Sequence, residues 1–187
     1  MNEPILPIES VKAWESWLAN HYVDPQGVWL KIAKKNSGLP IVSHDEVLDI
    51  ALCYGWIDGQ RKGFDDQFYL QKFTPRRPRS LWSKRNIEKV EGLISEGKMQ
   101  PSGLAEIEKA KADGRWQAAY DSPKNMTIPT DFLELINKNP SAKETFDKLN
   151  KTNLFAIGFR LSTAKKPETR QRRIDTIIAM LSQGTFK

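Results

Sequence analysis

The stretch SHDEVLDIALCYGWIDGQRKGFDDQFYLQKFTP, Ser43 to Pro75, decides the fold, because it runs from an apolar helix through a glycine into a hairpin. Ser43 followed three residues later by Glu46 matches a capping box, and Val42 and Val47 stand at the positions of a hydrophobic staple. Val47, Leu48, Ile50, Ala51, Leu52 and Tyr54 leave that helix little polar surface, which predicts a buried core helix ending about Tyr54. Beyond Gly55, residues 57–64 and 67–73 read as two short strands around an Asp65-Asp66 turn.

Upstream, residues 10–21 read as a helix with Val11, Trp14, Trp17 and Leu18 on one face, and Asp24-Pro25-Gln26-Gly27 is a turn. The strand Val28–Lys34 then alternates with Val28, Leu30 and Ile32 inward and Lys31 outward, Trp29 being the exception. Downstream, Pro75 and Pro78 predict an extended polyproline-II run over residues 74–79 that places Arg76 and Arg79 on one edge. Ser83 reads as the N-cap of a helix to about Ser95, with Trp82 and Ile87 as its staple, and a further helix over 102–113 stops at Gly114.

All six tryptophans fall within the first 116 residues, and Asp121 to Pro129 interrupts the apolar period with two prolines. The expected organisation is an α+β part over 1–120 with a small antiparallel sheet packed with helices, a linker over 121–129 and an all-helical part over 130–187. Its helices read as 130–138, 140–150, 153–164 and 167–182. In the last, Ile174, Ile177, Ile178 and Leu181 form one stripe, with Pro167 at its start and Gly184 beyond its end.

A chain of 187 residues, 39% hydrophobic and 28% charged, has the composition of a folded globular protein. The segment from Met1 to Pro7 has no positive n-region or apolar run, and no stretch approaches eighteen apolar residues, so the expectation is a cytoplasmic protein without membrane insertion. Cys53, the single cysteine, allows no intrachain disulfide and reads as inert core.

The net charge of +6 is concentrated in two windows. Residues 76–89 hold six basic residues against Glu88 alone, and residues 160–173 hold six against Glu168 alone, so the remainder of the chain is net acidic. Arginine's planar fork suits bidentate contact with phosphate or carboxylate, which makes Arg76, Arg77, Arg79 and Arg85 anion-binding candidates. Trp82 offers a stacking face, and Ser83 and Lys84 sit at a helix start whose amides favour anions. Arg170 lies one turn before Ile174, on the face of the buried stripe, and so at its rim.

Asp58, in Ile57-Asp58-Gly59, reads either as part of a turn or as a base or counter-charge for an arginine, and it is the sole, weak catalytic candidate. Two histidines and one cysteine complete no metal-ligand spacing, no Gly-rich phosphate loop or nucleophile elbow is present, and neither metal nor cofactor is expected. With no complete catalytic constellation, turnover is left open.

The segments ALCYGWIDGQRKGFDD (51–66), FTPRRPRSLWSKRN (73–86), LISEGKMQPSGL (93–104), DGRWQAAY (113–120) and AKKPETRQRRI (164–174) together resemble the YdeI/OmpD-associated family. The resemblance implies a bacterial protein of the group named for protection against bacteriocins or cationic antimicrobial peptides, to which no agreed reaction is attached. Some members are described as periplasmic, and the absence of an export signal at the start of this sequence departs from that. Because the pattern contains both basic windows, the resemblance implies a shared cleft in which Arg76, Arg77, Arg79, Trp82 and Arg85 face Arg170 and Arg173. A small anionic or phosphorylated ligand is the leading expectation; a nucleic acid held on a long basic stripe, or an acidic protein partner, are the alternatives.

Overall fold

Alternation along Val28–Ala33 (β2) and Phe68–Pro75 (β4) gives the sheet one face for helices and one away from them. In the antiparallel register Val28 stands opposite Phe73, Leu30 opposite Gln71 and Ile32 opposite Tyr69, and opposed residues share a face. That face meets the core cluster, where Val28, Leu30, Ile32 and Phe73 are buried with Trp14, Leu18, Val47, Leu48, Ala51 and Leu52. The computed structural model describes residues 4–39 and 42–186; of the start read for an export signal, Met1, Asn2 and Glu3 lie outside the described residues.

The hairpin partner of β4 is β3 (Trp56–Gly63), and the sheet is completed by β1 (Ile5–Pro7) in the order β1-β2-β4-β3. The sequence did not announce β1. It is three residues long, flanked and ended by prolines, and pairs in parallel with β2, so the antiparallel sheet gains one parallel edge. Trp29 points to the face away from the core yet is buried, because Lys62 lies over its ring at 4.2 Å and Lys72 at 5.5 Å.

Helix α1 (Val11–His21) starts at Ser10, whose hydroxyl accepts from the Ala13 amide. Helix α2 (His44–Cys53) carries the full capping box: the Glu46 amide donates to Ser43 Oγ at 3.2 Å and the Ser43 amide donates to Glu46 Oε2 at 3.0 Å. Trp14 and Trp56 are fully buried and their indole N–H groups donate to the carbonyls of Val47 and Tyr22, so neither brings an unsatisfied donor into the core. Helices α3 (Lys84–Ser95) and α4 (Pro101–Ala112) follow. A Cβ at Gly103 of α4 would collide with the Cys53 carbonyl, so glycine is what lets α4 approach the end of α2.

The remaining helices, α5 (Thr130–Asn137), α6 (Pro140–Phe146), α7 (Lys151–Ser162) and α8 (Pro167–Ser182), bury Phe132, Ile136, Ile157, Leu161, Ile174, Ile177 and Leu181 in a second core. Helix α6 is shorter than the period suggested because Asn150 caps α7, its side chain accepting from the Asn153 amide at 2.9 Å. The chain divides into two compact units, Met1–Trp82 with Asn86–Ala119, and Ser83–Arg85 with Tyr120–Lys187. Both are α-helical, and the sheet belongs to the first, in keeping with the α+β class. Among the described residues no helix is long and apolar enough to cross a membrane.

Candidate functional site

Residues 76–82 leave β4 as an irregular loop, and the polyproline-II expectation fails there. The Ser80 amide donates to the Arg77 carbonyl at 3.0 Å, closing a β-turn with Pro78 second and Arg79 third. Pro78 presets its own φ, but the third position takes positive φ in a type II turn and normally glycine. Arg79 has φ of 68° and is the one non-glycine with positive φ among the described residues. Backbone held in this region costs on the order of 1 kcal/mol and persists where surrounding contacts enforce it, commonly at ligand sites.

Two buried arginines supply the enforcement. Arg76 is 6% exposed, its guanidinium lies 3.5 Å from the Trp82 ring and its Nη1 donates to the Leu81 carbonyl, while its amide donates to the Gly55 carbonyl. Arg115, 5% exposed, donates through Nε to both oxygens of Asp113 and through Nη1 to the Ser80 carbonyl at 2.9 Å. Each holds a carbonyl of the loop while its carbon stem fills the interior, a use for which the five-donor fork is suited and a lysine is not.

Arg76 and Arg115 open on a cleft of about 650 Å³ that is also lined by Pro78, Arg79, Glu106, Lys109 and Asp113. Glu106 pairs with Lys109 at 2.6 Å and Asp113 with Arg115 at 2.7 Å, so the lining carries four cations against two carboxylates. The exposed Arg79 guanidinium makes no hydrogen bond or ion pair among the described residues. Lys109 and Arg115 are not candidates in the sequence, since neither lies in a basic window; Asp113-Gly114-Arg115, just past α4, carries a helix stop and part of the family resemblance but no site role there.

The other expected residues are placed differently. Trp82 is 2% exposed and packs between Arg76 and Trp116, so it presents no stacking face to a ligand, and this corrects its expected role. Arg77 is exposed but does not line the cleft. Ser83 is buried and bridges to Tyr120, Lys84 pairs with Asp121 at 2.8 Å, and Arg85 is exposed. Arg170 grips Asp131 bidentately at 2.6 and 2.8 Å, which holds the Asp131 carboxyl below its ordinary range and raises Arg170. Arg173 donates to the Arg160 carbonyl and to Thr163 Oγ1. These five belong to the second unit.

Asp58 lies in β3 with its Oδ2 3.3 Å from His44 Nε2, a contact invisible in sequence because the two residues sit on separate elements. Cys53 is buried, and burial, followed by the Asp49 and Glu15 carboxylates, pushes its thiol up to about 11, so it carries no thiolate at neutral pH.

The model of a family described as Domain of unknown function (DUF8412) matches residues 6–106, more than half of the chain. That of a second, described as Bacteriocin-protection, YdeI or OmpD-Associated, matches residues 125–184, which supports the YdeI/OmpD-associated resemblance over that part. No curated protein and no solved structure matches the chain.

Proposed function

The chain belongs to the family described as a domain of unknown function (DUF8412), and from that premise we propose that it is a bacterial, cytoplasmic, stress- or bacteriocin-protective protein whose biochemical task is to hold a small anionic or phosphorylated ligand in the cleft of Arg76, Arg79, Lys109 and Arg115. The observation that carries the reading is the conformation of Arg79. Its φ of 68° aims an exposed guanidinium from a turn that Arg76 and Arg115 hold in place. Nothing in the packing of the loop itself calls for arginine at a position that glycine would occupy without strain. Pre-set donors of this kind lose little entropy when an oxyanion arrives.

Glu106 and Asp113 on the rim favour a compact anion over a polyphosphate backbone, since a long polyanion would meet both carboxylates. The test is isothermal titration of the full chain with inorganic phosphate and pyrophosphate, beside fluorescence polarisation with labelled single- and double-stranded oligonucleotides over a salt series. Pyrophosphate binding that Arg79→Ala weakens about tenfold, the loss of one charge-assisted contact, is the expected result. Tight oligonucleotide binding that falls steeply with salt and ignores Arg79 would replace this reading with the nucleic-acid one.

A further inference from the structure

A second cleft, of about 570 Å³, lies elsewhere in the first unit, between the end of β2, the start of α2 and the β3–β4 hairpin. We propose that it binds an organic phosphomonoester, with Arg61, Lys34, Lys35 and His44 receiving the phosphate and Val42 and the Tyr69 ring receiving the apolar body.

The placement of Arg61 is built into the sheet. In β3, Asp58 stands opposite Phe73 and Arg61 opposite Gln71, so three steps along β3 match two along β4. Strict alternation would send residues three apart to opposite faces; the bulge between them puts Asp58 and Arg61 on the same one. Gln71 pins that bulge. Its side chain is 3% exposed, and Nε2 donates to the carbonyls of Gly59 at 3.0 Å and Gln60 at 3.3 Å, the groups an extra residue leaves without ladder partners. A buried amide devoted to one irregularity is a costly feature if all it achieves is an exposed arginine on a strand.

On the shared face, the Arg61 guanidinium lies 4.0 Å from the Tyr69 ring centroid, and His44 is held 3.3 Å from the Asp58 carboxylate. Lys34 enters from the end of β2, its Nζ donating to the Asp65 carbonyl at 2.7 Å. Among the described residues no carboxylate lines this cleft, unlike the first. Asp58 is engaged with His44, Glu46 with the Ser43 amide and hydroxyl, and the Asp65 carboxylate with the Gln67 and Phe68 amides. Three permanent cations and an imidazole around an apolar floor suit a doubly charged oxyanion on a small apolar body better than a monoanion.

The test follows the imidazole C–H resonances of the full-length protein by two-dimensional NMR during titration with phenyl phosphate, benzoate and inorganic phosphate. The chain has two histidines, and His21, whose ring is stacked on Trp17 with Nδ1 against the Trp17 carbonyl, is the internal control. Phenyl phosphate is expected to shift His44 saturably and leave His21 in place. Benzoate and inorganic phosphate should each bind more weakly, and Arg61→Gln should weaken phenyl phosphate by about tenfold, as expected for one charge-assisted contact. Arg79→Ala should leave the titration unchanged, which keeps this result separate from the fate of the first cleft. Lys34→Gln is the second variant should Arg61→Gln perturb the hairpin. An immobile His44, both histidines moving together, or binding that survives both substitutions would overturn the proposal; benzoate binding equally well would overturn the phosphomonoester class.

Discussion

Replacing Arg79 by glycine is expected to make the protein more stable and a poorer anion binder. At φ of 68° a residue with a Cβ is strained, at a cost of about 1–2 kcal/mol that glycine avoids. Glycine gives back roughly 0.5–1 kcal/mol through the larger entropy of its unfolded chain. The net is a gain of about 0.5–1 kcal/mol for Arg79→Gly, and Arg79→Ala, which keeps the strain, should not share it. Side-chain contacts do not enter the comparison, because the Arg79 guanidinium has no partner among the described residues. Urea unfolding of wild type, Arg79→Gly and Arg79→Ala measures the stability, and the pyrophosphate titration measures the function. Both variants should lose about tenfold in affinity or more, the worth of a charge-assisted hydrogen bond. If Arg79→Gly is no more stable than Arg79→Ala, the strain is not there; if both variants bind like wild type, the cleft does not use Arg79.

Gly103→Ala should destabilise by about 1–3 kcal/mol, read from the same urea transitions, because its Cβ meets the backbone carbonyl of Cys53 rather than a side chain that can rotate away. With its thiol pushed up to about 11 by burial and neighbouring carboxylates, Cys53 should resist a disulfide reagent at pH 8 in the folded protein and react at once in 6 M guanidinium; fast labelling of the native protein would contradict that burial. Asp131 titrates below its ordinary range because Arg170 stabilises the charged form, so its contribution to stability is present above the unfolded carboxyl pKa and lost as pH falls through the depressed folded one. In Arg170→Gln, a carboxyl NMR titration should find Asp131 back in the ordinary range, and stability between neutral and acid pH should vary less than in wild type.

What the residues declare locally, the structure keeps. Ser43 and Glu46 cap α2 as their spacing says, Ile174, Ile177 and Leu181 bury the stripe of α8, and Asp65-Asp66 turns the hairpin. These signals were legible because the interacting groups lie within a few residues of one another. Strand β1 was not, because three residues ended by proline acquire strand geometry only by pairing with β2. Basic clustering makes Arg76 and Arg79 anion-binding candidates, and the structure puts both on one cleft; the same clustering includes Trp82, which the core absorbs, and Arg170, which Asp131 engages.

The sequence by itself determined the helices, the hairpin, the α+β class and the local excess of arginine, since period, capping and charge are short-range properties of the chain. Only the tertiary structure decided that Arg79 sits with positive φ, that Arg115 and Lys109 complete its cleft, that Trp82 stacks on an arginine, and that a bulge pinned by Gln71 brings Arg61 onto the face of Asp58 and His44. The physical reason is that each depends on groups far apart in the chain meeting in a buried or half-buried place. There, satisfying a carbonyl or covering a ring outweighs the conformational preference of any single residue.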